Sequence, residues 1–489
     1  NDSLRINGHE LRAKVVGEGG NLGFSQLGRI EYAKNGGKIN TDFIDNSAGV
    51  DCSDHEVNIK IALNMAMNSG KITLDERNAL LENMTSEVEQ LVLIDNIKQT
   101  ASLTLAQFSP AYNTGMFAHL ISALEDDALL SREVEFLPND KELNRMSKSG
   151  EVLTRPELAV LLSYSKMSVY NELISSVIAD DQGSDELLIN YFPPMMREKF
   201  KDEILSHPLR NEIIITILTN KVINEIGSPI LEHIESDTGA KLCDIIRSYI
   251  IVNRIFCLDE LWKRVDKLSV EVDFDVQVEI YSEIIKLLRR GICWFVRNLP
   301  GPVDIAAAIE LYCDPVEELS TKLSNYLLGT AKEKFDTRRA KYVDSNIPDE
   351  LARLIATLDV GVSSLDIILV SHKTQTDKNR VAELYFKAAD HFYIDWMRKS
   401  IEKQMTESYW NRMSIQAMKD DLYDKQRRVI QKILAYKSDS KDISDWINYN
   451  EKYANIFLNF VERIKNDEEV DLNMMILANK QFEIFLRRV

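Results

Sequence analysis

The chain has 489 residues, of which 45% are apolar and 28% charged, a composition typical of a folded protein with about two to four domains. Its formal net charge of -18 argues against nucleic acid as a partner, because a mainly acidic surface repels phosphate backbones. No apolar run approaches the roughly 18 residues that a membrane-spanning helix needs, which argues against a membrane protein.

The first predicted elements lie in a glycine-rich segment, with ten of the 19 glycines before residue 71. Arg12–Val16 is predicted as a short strand, Ser25–Asn35 as a helix closed by two glycines, and Lys38–Thr41 as a second strand. A strand, a glycine-rich loop, a helix and a strand follow the order of a doubly wound α/β sheet, which binds ligands beyond the carboxyl ends of its strands. Two strands cannot form such a sheet alone, so we expect the missing strands upstream or in another chain.

The chain starts at Asn1 and reaches the first predicted strand within a few residues, so we expect a fragment that enters its first domain part-way. The five cysteines are widely spaced and form no CxxC pair. They are therefore predicted to be reduced thiols in a cytoplasmic protein, and no secretory signal is evident.

From Ser53 onward, apolar residues recur at helical spacing almost everywhere, most clearly over residues 242–256 and 422–434. The sequence therefore predicts a mainly α protein, in which the remnant of a doubly wound α/β domain precedes a large all-helical region. The best candidate linkers are Pro300–Pro302 and Ser345–Asp349. Helix breaks are predicted at Pro110, Pro138, Pro156, Pro193, Pro194, Pro208, Pro229, Pro315 and Pro348.

The loop Gly17–Gly23 is the first candidate site, because it directly follows the first predicted strand. Its sequence, GEGGNLG, is neither a GxGxxG fingerprint nor a Walker A motif. One interpretation is a tight turn. In the other, the small residues let a flat ligand pack against the backbone, and the Asn21 amide supplies a hydrogen-bond donor and acceptor.

Polar residues also crowd between Asn40 and Glu56, where the second predicted strand gives way to a helix. Ser53 is predicted to be the N-cap of that helix and to form a capping box with Glu56. One interpretation is that Ser53 only caps the helix. In the other, the exposed N–H groups of the helix start hold a carboxylate or phosphate with help from the Ser53 hydroxyl.

A metal site made of Asp51, Cys52, Asp54 and His55 is disfavoured, because consecutive residues at a helix start point in different directions. A nucleophilic pair of Cys52 and His55 is disfavoured further, since no third partner is in view. The other histidines are isolated in the sequence and are typical of core or surface positions. The sequence therefore predicts no metal ligands.

Several strings resemble the glutamate dehydrogenase family, whose pattern reads E-G-A-N, P-D, N-A-G-G-V and S. The matching residues are Glu18-Gly19-Gly20-Asn21, Asp42, Asn46-Ser47-Ala48-Gly49-Val50 and Ser53. Longer strings are similar to the large-subunit, NAD-specific bacterial members: Gly17–Ile30, Ile39–Ile61, Leu153–Leu162 and His207–Arg210. The resemblance covers the whole chain, as roughly the last third of the family's polypeptide.

The resemblance implies roles for individual residues. Asn21 and Asn46 match asparagines placed against the nicotinamide half of NAD, and Gly19 and Gly20 belong to the same cofactor-binding loop. Ser53 matches the serine that contacts the side-chain carboxylate of glutamate. Around residues 20–25 and 47–48 the sequence departs from the pattern of the small-subunit enzymes. Asp42 matches an aspartate that shapes the end of a strand.

The resemblance also implies a domain organisation. Residues 1–105 would be the end of the catalytic core, with part of a Rossmann-like dinucleotide-binding domain and the helices that follow. Residues 106–330 would form a helical domain, and residues 331–489 a C-terminal helical domain.

By the same resemblance, the intact enzyme uses NAD to oxidise L-glutamate to 2-oxoglutarate and ammonia, and it is a homo-oligomer. The family's catalytic lysine and aspartate and its GxGxxG loop match nothing in this sequence, so the catalytic residues are expected upstream of Asn1. The alternative is that the isolated chain is an inactive helical module for oligomerisation or regulation. No nucleic acid or membrane partner is expected.

Overall fold

The computed structural model describes residues 5–268, 271–299, 302–404, 409–436 and 443–489. Helices account for most of these residues, so the prediction of a mainly α fold is confirmed. The described residues contain no β-strand, and the only β-pairing among them is an isolated parallel bridge between Val15 and Lys38. The two predicted strands are therefore reduced to one bridge, because no further strand in the described residues pairs with them.

The first half of the chain contains two 3-10 turns, Gly8–Glu10 and Ile178–Asp180, between longer helices. The α-helices of this half are α1 (Gln26–Lys34), α2 (Asp42–Asp45), α3 (Ser47–Asn68), α4 (Leu74–Asn83), α5 (Thr85–Phe108), α6 (Thr114–Asp126), α7 (Asp140–Ser149), α8 (Arg155–Leu173), α9 (Ser184–Tyr191), α10 (Pro194–Arg197), α11 (Lys201–Leu205), α12 (Arg210–Ile226) and α13 (Ser228–Thr238).

The second half of the chain is also helical wherever it is described. Its helices are α14 (Leu242–Ile255), α15 (Leu258–Asp266), α16 (Phe274–Asn298), α17 (Ile305–Tyr326), α18 (Gly329–Asp344), α19 (Asp349–Gly361), α20 (Ser363–Thr374), α21 (Lys378–His391), α22 (Ile394–Lys403), α23 (Tyr409–Ala435), α24 (Ile443–Tyr449), α25 (Glu451–Lys465) and α26 (Leu472–Arg488).

Local sequence explains several of the helix ends. The predicted helix over Ser25–Asn35 is confirmed as α1, in which the Ser25 hydroxyl accepts a hydrogen bond from the N–H of Gly28 and Asn35 is the C-cap. The predicted prolines lie at or beside helix ends, except Pro315, which lies inside α17. The break predicted at Pro315 is therefore wrong. Buried apolar residues such as Val316 and Leu319 continue the packed face of α17 beyond it, which outweighs the lost backbone hydrogen bond.

The chain divides into two compact units, each continuous in space but not in sequence. Unit 1 contains residues 1–250 and 292–306, and unit 2 contains residues 251–291 and 307–489. The division into residues 1–105, 106–330 and 331–489 stays a prediction. Pro300 and Gly301 of the first predicted linker lie outside the described residues. The second, Ser345–Asp349, connects α18 and α19, which pack together within unit 2.

Unit 1 is built around α8, which contacts α1, α5, α6, α12 and α13. The helix is buried along most of its length because apolar residues occupy nearly every side of it. Thr154 and Glu157 form a capping box at its start, with Pro156 in the first turn, where a missing N–H does no harm. Gln26 of α1 donates a hydrogen bond to the Pro156 carbonyl at 3.1 Å, which fixes the glycine-rich opening segment against this core.

Unit 2 is built around α23, which packs against α20, α21, α22 and α26. An aromatic cluster fills the space between several of its helices; its buried members are Phe392, Trp446, Phe457, Phe482 and Phe485. The helical stripe predicted over residues 422–434 is confirmed, since its apolar members are buried in α23. Large aromatic side chains contribute most of the apolar area that such a core removes from water.

No single described helix is long and apolar enough to cross a membrane. α19 and α20 together have the length and composition of a membrane-spanning segment, but the two helices are bent by 62° where they meet. Their apolar side chains, including Leu351 and Leu365, are buried within unit 2.

Gly227, between α12 and α13, offers a test of the packing in unit 1. It has φ of +81°, and a Cβ there would lie 2.5 Å from the hydroxyl of Tyr112, which donates to the Ile226 carbonyl. Gly239 has φ of +63° with open space around it. We expect Gly239→Ala to lower the free energy of unfolding by about 1 kcal/mol and Gly227→Ala by about 3 kcal/mol, because only the latter displaces a buried tyrosine. Urea denaturation measures both, and equal losses would contradict this packing.

Candidate functional site

The glycine-rich loop and the residues after Thr41 begin next to each other, because the segments that precede them pair in parallel. The N–H of Val16 donates to the Lys38 carbonyl at 2.9 Å, and the N–H of Lys38 donates to the Lys14 carbonyl at 3.0 Å. Parallel segments direct their carboxyl ends the same way. The two polar stretches singled out in the sequence therefore lie side by side.

A buried ionic network, formed by Glu18, Arg29 and Asp42, connects these two stretches. The Arg29 guanidinium donates from Nε and Nη2 to the Glu18 carboxylate at 2.5 and 3.1 Å, and its Nη2 lies 3.1 Å from Asp42 Oδ1. Only 4% of Glu18 is exposed. The same carboxylates accept backbone hydrogen bonds from the loop, Glu18 from Phe24 at 3.1 Å and Asp42 from Leu22 at 2.9 Å.

The electrostatics of this network favour its charged form. Burial lowers the pKa of Arg29, but the hydrogen bonds and negative charges of Glu18 and Asp42 outweigh burial and raise that pKa overall. Burial raises the pKa of Asp42, but the N–H of Leu22 and the charge of Arg29 outweigh it and lower the pKa overall. The N–H groups of Leu22 and Phe24 in the loop are therefore held by two carboxylates that share the Arg29 guanidinium.

A second set of hydrogen bonds attaches the site to the helical core. Asp45 accepts from the N–H of Glu18 at 3.0 Å and from Asn40 Nδ2 at 2.7 Å. Asn40 Oδ1 in turn accepts from Arg155 Nε at 2.8 Å, at the start of α8. Asn96 of α5 donates to the Ile44 carbonyl at 2.9 Å. Both α5 and α8 therefore support the residues that carry the site.

The middle of the loop is exposed and has room for a ligand. Gly19 and Gly20 have no atom within 4 Å of a built Cβ, and neither has a positive φ. Neither packing nor backbone conformation in the described residues therefore requires glycine at these positions. Leu22, next in the loop, has φ of +64° and is 87% exposed, a strained position for a branched side chain.

Asn21 and Asn46 are brought together as one amide pair. Asn46 Nδ2 donates to Asn21 Oδ1 at 2.8 Å, and Asn46 Oδ1 accepts from the N–H of Gly49 at 3.1 Å. Asn46 is the N-cap of α3, so its side chain is fixed by the helix start. The Asn21 Nδ2 group has no hydrogen-bond partner among the described residues and remains available as a donor.

The capping box predicted at Ser53 is wrong, because α3 begins at Ser47 with Asn46 as its N-cap. Ser53 lies six residues further on, which is about 9 Å along the helix axis, and it is exposed. The free N–H groups of the helix start are therefore near Asn46 and not at Ser53. No hydrogen bond in the described part of the chain joins Ser53 to Asn21 or Asn46.

A cluster of titratable groups lies on the face of α3 opposite Ser53. Asp51 and His55, one turn apart, approach Asp95 of α5, while Lys166 of α8 and Tyr191 of α9 lie beside them. The spacing of Asp51 and His55 is visible in the sequence and places both on one face. The partners come from three other helices, and no local signal in the sequence identifies them.

Burial dominates the electrostatics of this cluster. It raises the pKa of Asp51 to about 7, with the charges of Asp95 and Asp54 acting in the same direction and Lys166 against it. It also lowers the pKa of Lys166 to about 8, partly offset by Asp95 and Asp51. Groups with such shifted pKa values are common at functional sites.

Comparisons with known proteins give a consistent result for the two parts of the chain. Residues 150–483 match the family model described as "Glutamate dehydrogenase, C-terminal", and residues 1–106 match "Bacterial NAD-glutamate dehydrogenase, catalytic domain". The resemblance inferred from the sequence strings is thereby confirmed.

Three curated relatives share the name NAD-specific glutamate dehydrogenase. The chain is 36% identical to the protein of Pseudomonas aeruginosa over 98% of its own length, 32% identical to that of Halomonas elongata over 98%, and 33% identical to that of Mycobacterium tuberculosis over its whole length. In each case it spans 30% of the length of the relative.

Glu18→Gln tests the ionic network that holds the loop. It removes the main counter-charge of a buried guanidinium, so we expect it to lower the free energy of unfolding of unit 1 by about 2–3 kcal/mol. It should also speed amide hydrogen exchange over residues 17–24, which mass spectrometry measures. Glu56→Gln is the control, because it breaks only the exposed Glu56–Lys60 pair and should change neither quantity measurably. Similar behaviour of the two variants would contradict the network's role.

Proposed function

Because the chain belongs to the glutamate dehydrogenase C-terminal family, we propose that it is part of an NAD-dependent glutamate dehydrogenase. The intact protein oxidises L-glutamate to 2-oxoglutarate and ammonia with formation of NADH. This chain supplies one wall of the site for nicotinamide and substrate, together with a helical region for assembly or regulation. The amide pair of Asn21 and Asn46, at an exposed edge beside two glycines, is the observation that carries the proposal.

The nicotinamide end of NAD binds against the loop that contains Gly19, Gly20 and Asn21. Glycines that neither packing nor φ requires support this role, since they let a flat ring approach the backbone. The available Nδ2 of Asn21 suits the carboxamide oxygen of nicotinamide, and Asn46 orients that amide through its hydrogen bond. When bound, NAD would supply the acceptor for the hydride that leaves the Cα of glutamate. The chain's own residues orient the ring for that transfer.

Ser53 contacts the side-chain carboxylate of glutamate in this proposal. Its exposure on α3, the helix that Asn46 caps, supports the role because substrate and nicotinamide must lie close together. Because Ser53 lies inside α3, it does not also serve as the N-cap of that helix. Cationic or hydroxyl groups from the rest of the intact protein complete the carboxylate site.

The parallel bridge between Val15 and Lys38 is the edge of a Rossmann-like dinucleotide-binding sheet that the rest of the intact protein completes. Three features support this: the parallel sense of the bridge, the loop that follows one partner, and the polar residues that follow the other. The proton-transfer groups and the pyrophosphate loop come from that remaining part. The similarity over both parts of the chain favours this enzyme over an inactive module.

The intact protein is a cytoplasmic homo-oligomer, and the helices at the end of unit 2 contribute to its interface. Exposed apolar side chains support this assignment: Ile456 on α25 and Leu477 and Ile484 on α26. Leu477 and Ile484 are seven residues apart and so lie on one side of α26. Closed symmetric assemblies are the usual state of soluble enzymes.

Steady-state kinetics of the full-length enzyme tests the two binding roles separately. We expect Asn21→Ala to raise the KM for NAD, and Ser53→Ala to raise the KM for glutamate by about tenfold or more, each with little effect on the other constant. Ser86→Ala, an exposed serine on α5, is the matched control for Ser53→Ala and should change neither KM. Parallel changes in both constants, or none, would contradict these roles.

The oligomer interface is tested by placing charge on α26. The variant with Leu477→Lys and Ile484→Lys should reduce the particle mass of the full-length protein in multi-angle light scattering, because lysines cannot be buried there unpaired. Val134→Lys in unit 1 replaces another exposed apolar residue and should leave the mass unchanged. An unchanged mass for the α26 variant would assign this surface another role.

A further inference from the structure

Three side chains on two helices of unit 1 converge on one point. Asp51 and His55 come from one face of α3, and Asp95 comes from the facing side of α5. One carboxylate oxygen from each aspartate and one ring nitrogen of His55 lie within 4.8 Å of one another. Ser53 lies about 200° around the helix from Asp51, so this cluster does not share the face that carries the substrate serine.

The cluster contains buried polar atoms without partners. His55 is only 2% exposed, yet its Nδ1 has no hydrogen-bond partner among the described residues. Asp51 Oδ2 is likewise buried and unpaired. A buried polar atom without a partner costs free energy, so two of them at one point indicate an absent third group.

The two lysines that act on these carboxylates, Lys98 and Lys166, do not supply that group. The Lys166 ammonium donates to Gln99 Oε1 at 3.2 Å, and in the described residues it forms no ion pair within 4.0 Å of Asp51 or Asp95. The charged groups that act on one another here are three carboxylates, of Asp51, Asp54 and Asp95, and two ammonium groups, of Lys98 and Lys166, so acidic groups outnumber basic ones. A small dication therefore still lowers the electrostatic energy of the cluster.

Residues around His55 fix the orientation of the imidazole. The ring of Tyr191 stacks on it with centroids 4.4 Å apart, and the Tyr191 hydroxyl donates to Asp54 Oδ2 at 3.1 Å. Asn58 Nδ2 donates to the Tyr191 hydroxyl at 2.9 Å. A metal-binding histidine is usually oriented by a hydrogen bond to its other ring nitrogen, and here the stacked tyrosine fixes the plane of the ring.

We propose that Asp51, His55 and Asp95 bind a divalent transition-metal ion that joins α3 to α5. One nitrogen and two oxygen ligands suit zinc or manganese, with bonds of about 2.0–2.2 Å. Ligand atoms in such a site are separated by about 3–4 Å, so small side-chain rotations close the present separations. Water completes the coordination, and Cys52 takes no part. This site is independent of the proposed function.

The ion stabilises the helix that carries the nicotinamide and substrate residues. Asn46 and Ser53 both belong to α3 or its cap, while α5 already contacts the start of α3 through the hydrogen bond from Asn96 to Ser47 at 2.7 Å. A metal bridge one turn further along would add a second fixed point between the same two helices. Its expected effect is on stability and metal content, whichever substrate the enzyme uses.

Metal content of the full-length protein tests the proposal. The protein, without an affinity tag, is stripped with a chelator, incubated with zinc or manganese, desalted and analysed by mass spectrometry of the metal. We expect one ion per chain and a higher melting temperature. Asp95→Asn and His55→Gln should each weaken binding by more than about tenfold, since even changes to neighbouring residues weaken metal sites by that much. Asp75→Asn, an exposed aspartate on α4, should bind as the unchanged protein does.

The isosteric Asp95→Asn variant distinguishes a loss of metal binding from a loss of fold. Without metal, its circular dichroism and melting temperature should match those of the unchanged protein, so any loss of binding reports on ligation. The proposal is overturned if the unchanged protein retains no zinc or manganese. It is equally overturned if Asp75→Asn loses as much metal as Asp95→Asn, because binding would then reflect the general acidity of the chain.

Discussion

The buried carboxylate of Glu18 is the constraint on which the geometry of the candidate site depends. A carboxylate in the interior needs a cation and further hydrogen-bond donors, so Arg29 must also lie inside. The same guanidinium binds Asp42, and both carboxylates accept N–H groups of the glycine-rich loop. One network thus holds the loop, α1 and α2 together where only a single β-bridge contributes regular pairing. The exposed middle of the loop is left free to meet a ligand.

Two helices in the core of unit 1 hold the residues of the candidate site in place. Arg155 at the start of α8 donates to Asn40, and Asn96 of α5 donates to the Ile44 carbonyl in α2. Hydrogen bonds from rigid helices fix the amide pair more firmly than a loop could. α5 lies almost wholly in the segment that matches the catalytic-domain model, and α8 lies in the segment that matches the C-terminal model, so hydrogen bonds from both segments position the site.

Elements encoded by local patterns could be predicted, and contacts between distant segments could not. Apolar periodicity and prolines predicted the helical fold, and Ser25 predicted the start of α1. The pattern Ser-x-x-Glu at Ser53 misled, because it also occurs inside a helix and Asn46 is an equally good N-cap. The predicted strands need partners that the described residues do not contain. Asp95 joins Asp51 and His55 only through packing of α5 on α3, which no short motif encodes.

In the proposed complex, the edge formed by Asn21 and Asn46 faces the nicotinamide ring. A structure of the full-length protein with NAD and 2-oxoglutarate bound would show whether the ring lies there. We expect the nicotinamide carboxamide within hydrogen-bond distance of the Asn21 side chain and the ring against the backbone of Gly19 and Gly20. A nicotinamide bound elsewhere, with solvent or protein side chains covering this loop, would contradict this expectation.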